Sequence, residues 1–187
     1  MSSPIYIALV HYPIINKKGD LVTTSVTNFD LHDLSRNAAT YGIEGCFIIT
    51  PSETQQKMVN YIQSYWQEGK GAEYNPDRKQ AFFRLLVSKS LEETRLTIKK
   101  AHDKHAILVA TSAKGGNKAV SFRELKEKLP KENQPYLILF GTGWGLASEV
   151  LDQVDYLLEP IKGLADYNHL PVRSAVAIVL DRLLADW

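Results

Sequence analysis

The sequence predicts an α/β protein with a mostly parallel six-stranded sheet and helices on both faces. Two observations favour this class. Short apolar, β-branched runs alternate with segments whose apolar residues recur at helical spacing. The runs are apolar throughout, which is typical of strands buried on both faces of a parallel sheet. The predicted strands are residues 4–10, 44–50, 81–87, 105–110, 137–140 and 155–158.

The helices between these strands are predicted from their start and stop signals. The first begins near Asn28 or Asp30 and ends at Gly42, a residue favoured just beyond helix C-termini. Three further helices begin at serines that are followed three residues later by Gln or Glu, the spacing of a capping box. These serines are Ser52, Ser90 and Ser121. The last helix covers about residues 172–184.

Length and composition limit the classes of protein to consider. A chain of 187 residues is long enough to bury one core, and we expect residues 1–187 to form a single domain. The net charge of +1 does not favour a dedicated nucleic-acid binder, although local basic clusters stay possible. Neither a signal sequence nor an apolar run of membrane-spanning length is evident, so we expect a cytoplasmic protein.

Cysteine and histidine chemistry has little support. The single cysteine, Cys46, cannot form an internal disulfide, and its apolar neighbours predict a packed, inert thiol. The five histidines lack the spacing of metal ligands, so we expect no metal site.

A glycine-rich turn, residues 141–146, follows the fifth predicted strand. It superficially matches the dinucleotide-binding pattern, but Leu146 stands where that pattern needs Gly or Ala, and the pattern belongs after a first strand. A close strand-to-helix turn without a ligand is the simpler interpretation. Three glycines in five residues nevertheless favour close approach of a small, flat ligand.

Two other segments carry polar residues. Asp30, His32, Asp33 and Arg36 lie on polar faces of the first helix, where the alternative is an ordinary solvated surface. Residues 168–174 form a turn before the last helix. That helix is apolar around most of its circumference, so it either threads the core or is covered by another subunit; dimerisation is the economical explanation.

In chain order these segments resemble the SPOUT superfamily of S-adenosylmethionine-dependent RNA methyltransferases. Residues 137–146 and 168–178 are similar to the second and third motifs of that family, and Arg36 with residues 37–43 resembles the first. The resemblance looks closest to a stand-alone bacterial branch. It implies a C-terminal trefoil knot within about residues 106–187 and a homodimer formed through the last helix.

The resemblance also implies a reaction and its participants. S-adenosylmethionine would be the methyl donor, with S-adenosylhomocysteine as product, and tRNA or rRNA the acceptor, at a ribose 2′-hydroxyl or a base nitrogen. Arg36 would bind a phosphate or polarise the acceptor, with Asp30 or His32 as general base. Independently of the resemblance, Lys114 and Lys118 begin the densest basic region of the chain, for which the alternatives are an RNA-backbone contact and an ordinary solvated helix face. Together with Arg173 they are the predicted RNA-binding residues. The cofactor-binding residues would be Thr111, Ser112, Ala113, Phe140, Gly141, Thr142, Gly143, Gly145, Leu146, Leu158, Pro160, Ile161, Gly163, Asn168, His169, Leu170, Val172 and Ser174.

Two departures from the family pattern keep alternatives open. The ribose-methylating branch has an acidic residue where this chain has Thr142, and the asparagine of its first motif falls at Asp30. A non-catalytic, dimeric module that binds a cofactor or nucleotide is therefore a second hypothesis. A dinucleotide-dependent oxidoreductase is a third, disfavoured by the incomplete glycine pattern.

Overall fold

A computed structural model of the chain describes residues 3–116, 119–130 and 133–185. Among these residues, seven strands form one parallel sheet in the order β5-β4-β1-β8-β6-β9-β7. The strands of this sheet are β1 (Ile5–Val10), β4 (Gly45–Ile49), β5 (Leu85–Ser88), β6 (Ile107–Ala110), β7 (Ala119–Val120), β8 (Tyr136–Gly141) and β9 (Tyr156–Leu158). The antiparallel pair β2 (Ile14–Ile15) and β3 (Leu21–Val22) forms a separate hairpin.

The helices begin close to the predicted positions. They are α1 (Asn28–Thr40), α2 (Glu53–Gln67), α3 (Lys70–Tyr74), α4 (Pro76–Phe82), α5 (Leu91–His102), α6 (Phe122–Lys128), α7 (Ser148–Leu151) and α8 (Val172–Leu184). The side chains of Ser52, Ser90 and Ser121 accept hydrogen bonds from backbone amides three residues on, as predicted. At α1 the cap is Thr27, one residue before the predicted start.

The prediction of six strands was wrong. The additional strand of the main sheet is β7, whose two residues are too short to show as an apolar run in the sequence. The predicted strand 81–87 was also wrong at its start, because Ala81 and Phe82 end helix α4. Pro76 occupies the first turn of this helix and the Asn75 side chain accepts from the amide of Arg78, a strong start signal that the sequence analysis had assigned to a loop.

Helices cover both faces of the sheet, as the uniformly apolar strands predict. Alternate residues of β1 point to opposite faces, with Ile7 in the core cluster beneath α1 and α8 and Ala8 in the cluster beneath α5. Within one protomer, α8 buries a single face that includes Val176 and Leu180, and Ser174 is exposed. The expected burial on nearly all sides is therefore not reached within one chain.

Cys46 lies fully buried in β4, and burial raises the pKa of its thiol well above the ordinary value. The prediction of an inert, packed thiol is confirmed. No helix in the described part of the chain is both long and apolar enough to span a lipid bilayer.

Candidate functional site

A cavity of about 680 Å³ lies at the carboxyl ends of β6, β8 and β9. This is the edge of a parallel sheet at which ligands characteristically bind. Every predicted cofactor-binding residue lines the cavity except Thr142, Gly163 and Ser174. Whether the lining residues bind S-adenosylmethionine stays a prediction, but three segments distant in sequence do converge on one space.

The glycine-rich turn, residues 141–146, forms one wall of this cavity. A β-carbon on Gly141 would lie 2.7 Å from the backbone nitrogen of Leu146, so only glycine fits there without a backbone shift. Gly143 and Gly145 have φ angles of +57° and +109°, in the region that favours glycine. The glycines thus serve a tight turn and also leave the backbone uncovered toward the cavity.

The hairpin β2–β3 packs against this turn, which the sequence analysis did not foresee. The amide of Ile15 donates to the carbonyl of Gly145 over 3.1 Å, and the amide of Trp144 donates to the carbonyl of Ile15 over 3.2 Å. The hydroxyl of Thr142 donates to the carbonyl of Val10 and is hydrogen-bonded to the hydroxyl of Thr24. Thr142 therefore holds the hairpin in place rather than lining the cavity, where it was predicted.

His11, at the end of β1, belongs to the same hydrogen-bonded group. Its Nδ1 lies 2.9 Å from Oγ1 of Thr24, and the residue is only 1% exposed. Burial lowers the pKa of His11 to about 4, against a smaller opposing effect of Asp30. The imidazole is therefore neutral at physiological pH and contributes to the scaffold behind the glycine-rich turn.

The other walls are joined by hydrogen bonds between loops. The Asn168 side-chain amide donates to the carbonyl of Ala113 over 2.9 Å, which ties the loop before α8 to the loop after β6. The carboxylate of Glu159 accepts from the amide of Phe122 over 2.7 Å and so anchors the start of α6. Asn168 thus has a structural role as well as a place in the cavity wall.

The cavity suits the expected cofactor in size and in character. Its volume lies within the range of small-molecule sites. Phe140, Leu158 and Ile161 supply apolar surface, while the glycine-rich turn offers backbone groups at close range. Apolar walls with exposed backbone fit a nucleoside carrying a short, bent side chain.

Arg36 lies outside this cavity, on a smaller one of about 440 Å³ between α1 and the start of α8. Arg36 is exposed, and no salt bridge to it is found in the described ranges. The two cavities share the segment 170–174: Leu170 and Val172 line the first, whereas Arg173 and Ser174 line the second. The segment 170–174 therefore lies between Arg36 and the larger cavity.

The structure does not bring Asp30 to the larger cavity, where a general base was predicted. Asp30 is 7% exposed and forms a capping box with Thr27, whose hydroxyl donates to its carboxylate over 2.6 Å. The same carboxylate lies 3.6 Å from Nε of Arg173. Asp30 is occupied by capping and ion pairing.

His32 is not at the larger cavity either. Its ring packs edge-on against Phe82 at a centroid distance of 4.9 Å and against Trp66 at 5.2 Å. Burial lowers the pKa of His32, and the charge of Arg78 acts in the same direction. The residue belongs to an aromatic cluster between α1, α2 and α4, so the prediction of a catalytic base there has no geometric support.

The three predicted RNA-binding residues lie in different surroundings. Lys114 lines the larger cavity. Lys118 lies outside the described residues. Arg173 donates to the carboxylate of Asp33 over 2.7 Å and stacks over the ring of Phe29 at 5.4 Å. Arg173 is therefore ion-paired to α1 in this structure, and its contact with RNA phosphate stays a prediction.

Sequence reasoning missed several lining residues, notably Ile15, Trp144 and Glu159. Trp144 carried a signal in the sequence, because it stands between Gly143 and Gly145 in the turn that was expected to meet a ligand. Within the part of the chain that the structure describes, no group of three or more His, Cys, Asp or Glu side chains is placed to hold a metal ion.

Comparison with known proteins supports the resemblance. A family model described as SAM-dependent RNA methyltransferase matches residues 4–185. A tRNA (guanine-N(1)-)-methyltransferase of Oleidesulfovibrio alaskensis is 40% identical over 182 residues, which is 97% of this chain but 42% of that protein. The chain thus spans less than half of this relative. An uncharacterized protein of Aquifex aeolicus is 37% identical, with 97% of this chain and 88% of that one covered.

Solved structures agree on the fold. The SpoU methyltransferase AviRb of Streptomyces viridochromogenes, in complex with AdoMet, has a TM-score of 0.60 at 15% identity and covers 98% of this chain and 58% of that one. The Aquifex aeolicus TrmH/SpoU tRNA modifying enzyme has a TM-score of 0.56 at 16% identity, covering 97% of this chain and 74% of that one. These structures support the fold that the resemblance implies, and with the match over residues 4–185 the chain belongs to the SAM-dependent RNA methyltransferase family.

Proposed function

We propose that this chain binds S-adenosylmethionine in the larger cavity and transfers its methyl group to a nucleotide of tRNA or rRNA. One observation carries the proposal. The segments that resemble the second and third family motifs, together with the loop after β6, converge on a single cavity at the carboxyl edge of the sheet. The family to which the chain belongs uses this cofactor.

The described residues can perform the tasks that methyl transfer requires. The sulfonium of S-adenosylmethionine supplies an electrophilic methyl group when it is bound. The uncovered backbone of Gly141 and Gly143 and the apolar surface of Phe140 and Leu158 would hold the cofactor and exclude water. Since the positive charge disappears as the methyl leaves, an apolar wall does not disfavour the transition state. Alignment of donor and acceptor then provides most of the acceleration.

The acceptor must also lose one proton. Neither Asp30 nor His32 is placed for this in one protomer. Among the described lining residues, Glu159 is engaged by the amide of Phe122, whereas His169 lies at the mouth of the cavity and could accept a proton. Arg36 would bind an RNA phosphate on the far side of the segment 170–174.

A homodimer through α8 is part of the proposal, together with the C-terminal knot that the family resemblance implies. The exposed face of α8 around Ser174 lies on the same surface as the smaller cavity and Arg36, which forms no salt bridge with the described residues. A partner seated on this surface would cover the apolar residues of α8 that one chain leaves partly exposed. We place the reaction in the cytoplasm, where tRNA and rRNA are found.

The methylated atom is left open between a ribose oxygen and a base nitrogen. Methylation of guanine N1 is named for relatives more than twice as long as this chain, so that name alone does not assign the atom. Thr142, at a position that is acidic in the ribose-methylating branch, does not support a ribose acceptor and does not identify a base nitrogen either.

A second function, a non-catalytic cofactor-binding module, is favoured by one observation: the three predicted catalytic residues Arg36, Asp30 and His32 do not line the larger cavity. The two functions differ in RNA methylation and agree in cofactor binding. They can therefore be separated by experiment.

The test combines calorimetry with methyl-transfer assays. We expect S-adenosylmethionine and S-adenosylhomocysteine to bind the purified protein and Gly143→Val to abolish binding, since its side chain would meet Ile14 and the backbone would need a positive φ. We expect Arg36→Ala to retain cofactor binding and lose methylation of a total tRNA and rRNA pool. Binding without methylation by the wild type would favour the module, and no binding to a folded dimer would reject both.

A further inference from the structure

Three aromatic rings form a row at the mouth of the larger cavity; we call Trp144, His169 and Tyr167 the aromatic strip. The ring centroids of Trp144 and His169 are 6.4 Å apart, and those of His169 and Tyr167 are 5.5 Å apart. Trp144 and His169 line the cavity, whereas Tyr167 does not. The strip therefore runs from inside the cavity out to the protein surface.

The strip exposes apolar surface where a folded chain would ordinarily bury it. Trp144 is 48% exposed and Tyr167 is 77% exposed. Trp144 is nevertheless held by its backbone, because its amide donates to the carbonyl of Ile15. At the other end, Asn168, between the remaining two rings, is tied to the carbonyl of Ala113. The rings are thus presented from fixed backbone, which favours binding by a preorganised surface.

Cationic side chains accompany the strip. The Nζ atom of Lys17, on the tip of the β2–β3 hairpin, lies 6.0 Å from the centroid of the Trp144 ring. Lys18 is exposed beside it, and Lys114 lines the same cavity. Aromatic faces for bases with cations for the phosphates are the combination that binds single-stranded nucleic acid.

We propose that the aromatic strip stacks an unpaired nucleobase of the RNA acceptor and so guides the acceptor nucleotide into the larger cavity. This inference rests on the proposed function. A base inside a duplex cannot reach an enclosed cofactor and must leave its stack at a cost. Stacking against Trp144 and Tyr167 replaces the stacking contacts with neighbouring bases that the nucleobase loses. The acceptor is then single-stranded RNA or a loop, the usual target of sequence-specific RNA recognition.

The first test uses tryptophan fluorescence, read as the difference between wild type and Trp144→Phe so that the other tryptophans cancel. S-adenosylhomocysteine is added first, to saturation, followed by a short single-stranded RNA of mixed sequence. We expect the RNA, and not the cofactor alone, to quench the Trp144 signal. The same sequence annealed into a duplex should quench it much less.

The second test separates the strip from the cofactor site with Tyr167, which does not line the cavity. We expect Tyr167→Ala to weaken binding of the single-stranded RNA about tenfold, in line with the loss of one base–aromatic stack, and to leave the affinity for S-adenosylhomocysteine unchanged. Tyr167→Phe, which keeps the ring, should bind RNA as the wild type does. Tyr61→Ala on α2, at 74% exposure, is the matched control and should change neither affinity.

Two results would overturn the inference while leaving the proposed function intact. Quenching of Trp144 by S-adenosylhomocysteine alone, with no further change on adding RNA, would assign the strip to the cofactor. Equal RNA affinities for wild type and Tyr167→Ala would remove the strip from the RNA path. Failure of the wild-type protein to bind S-adenosylhomocysteine at all would instead reject the proposed function, and the inference with it.

Discussion

The two cavities share the segment 170–174, yet they are formed in different ways. The larger cavity is formed by backbone at the ends of neighbouring strands, with apolar side chains around it. The smaller one is formed by charged and polar side chains of α1 and α8, among them Asp33, Arg36 and Arg173. The first depends on chain conformation and the second on ion pairs between helices. Substitutions around the larger cavity should therefore mainly change cofactor binding, whereas substitutions around the smaller one should mainly change the free energy of unfolding.

The largest effect is expected at the glycine-rich turn. In Gly141→Val the added β-carbon would lie 2.7 Å from the backbone nitrogen of Leu146, so the turn must open and deform the cavity wall. We expect no measurable binding of S-adenosylhomocysteine by calorimetry, with the protein still folded by circular dichroism. Gly163→Ala is the control: Gly163 was predicted to bind the cofactor but does not line the cavity, a β-carbon there meets nothing within 4 Å, and binding should be unchanged. Wild-type affinity in Gly141→Val would show that the cavity does not hold the cofactor.

The scaffold behind that turn should make stability depend on pH. The pKa of His11 is about 4 in the folded protein, below its ordinary 6.5, so between these values the unfolded chain binds more protons. Stability is then complete above pH 6.5 and falls as the pH is lowered toward 4, by at most about 3 kcal/mol. His32, whose pKa burial also lowers, acts in the same direction.

Urea denaturation at several pH values would measure this dependence. His11→Asn removes the titrating group and should flatten the curve between pH 4 and 6.5. A slope in His11→Asn equal to that of the wild type would mean that His11 does not titrate in this window.

The smaller cavity should show a contrast between its two arginines. Arg173 pairs with Asp33 at 2.7 Å and with Asp30 at 3.6 Å, and Asp30 is nearly buried. We expect Arg173→Ala to lower the free energy of unfolding by about 1–2 kcal/mol, because a buried carboxylate loses its counter-ion. Arg36→Ala, at an exposed site without an ion pair among the residues that the structure describes, should change it by less than about 0.5 kcal/mol.

Chemical denaturation of both variants would settle the contrast. An equal loss of stability in Arg36→Ala and Arg173→Ala would show that Arg36 is a structural residue as well. Arg36 would then no longer be a candidate for binding RNA phosphate. A loss in Arg173→Ala alone would leave Arg36 available for RNA.

The difference between local backbone conformation and contacts between distant segments also explains which features the sequence could predict. Strands, caps and the glycine-rich turn are set by neighbouring residues and were predicted to within a few residues, whereas the cavity-lining residues were expected from the resemblance to the SPOUT superfamily. The contact of the hairpin with the turn was not predicted, because Thr24 and Thr142 are 118 positions apart and neither segment carries a sequence pattern that indicates the other. Asp30 is different: Thr27 stands three positions before it, a capping signal that was present in the sequence and overlooked.

The ion pair of Arg173 with Asp33 was missed for a related physical reason. A basic residue beside a motif resembles a phosphate contact until its partners are known, and Asp33 lies 140 positions away in sequence. Spacing along one segment reveals pairs on one helix, whereas ion pairs between helices depend on how α1 and α8 pack. Charges on the smaller cavity could therefore be identified from the sequence, but their free or paired state could not.

The smallest expected effect concerns the contact that aligns α1 with α8. The hydroxyl of Tyr41, just after α1, donates to the carboxylate of Asp181 on α8 over 3.1 Å. Tyr41→Phe keeps the ring and removes the donor, so we expect a loss of about 0.5–1 kcal/mol in the free energy of unfolding, with Tyr61→Phe as the exposed control at no loss. Because neither Tyr41 nor Asp181 lines the larger cavity, cofactor affinity should not change. A drop in cofactor affinity in Tyr41→Phe would mean that the packing of α1 on α8 governs the larger cavity too, and the two regions would then be one coupled unit.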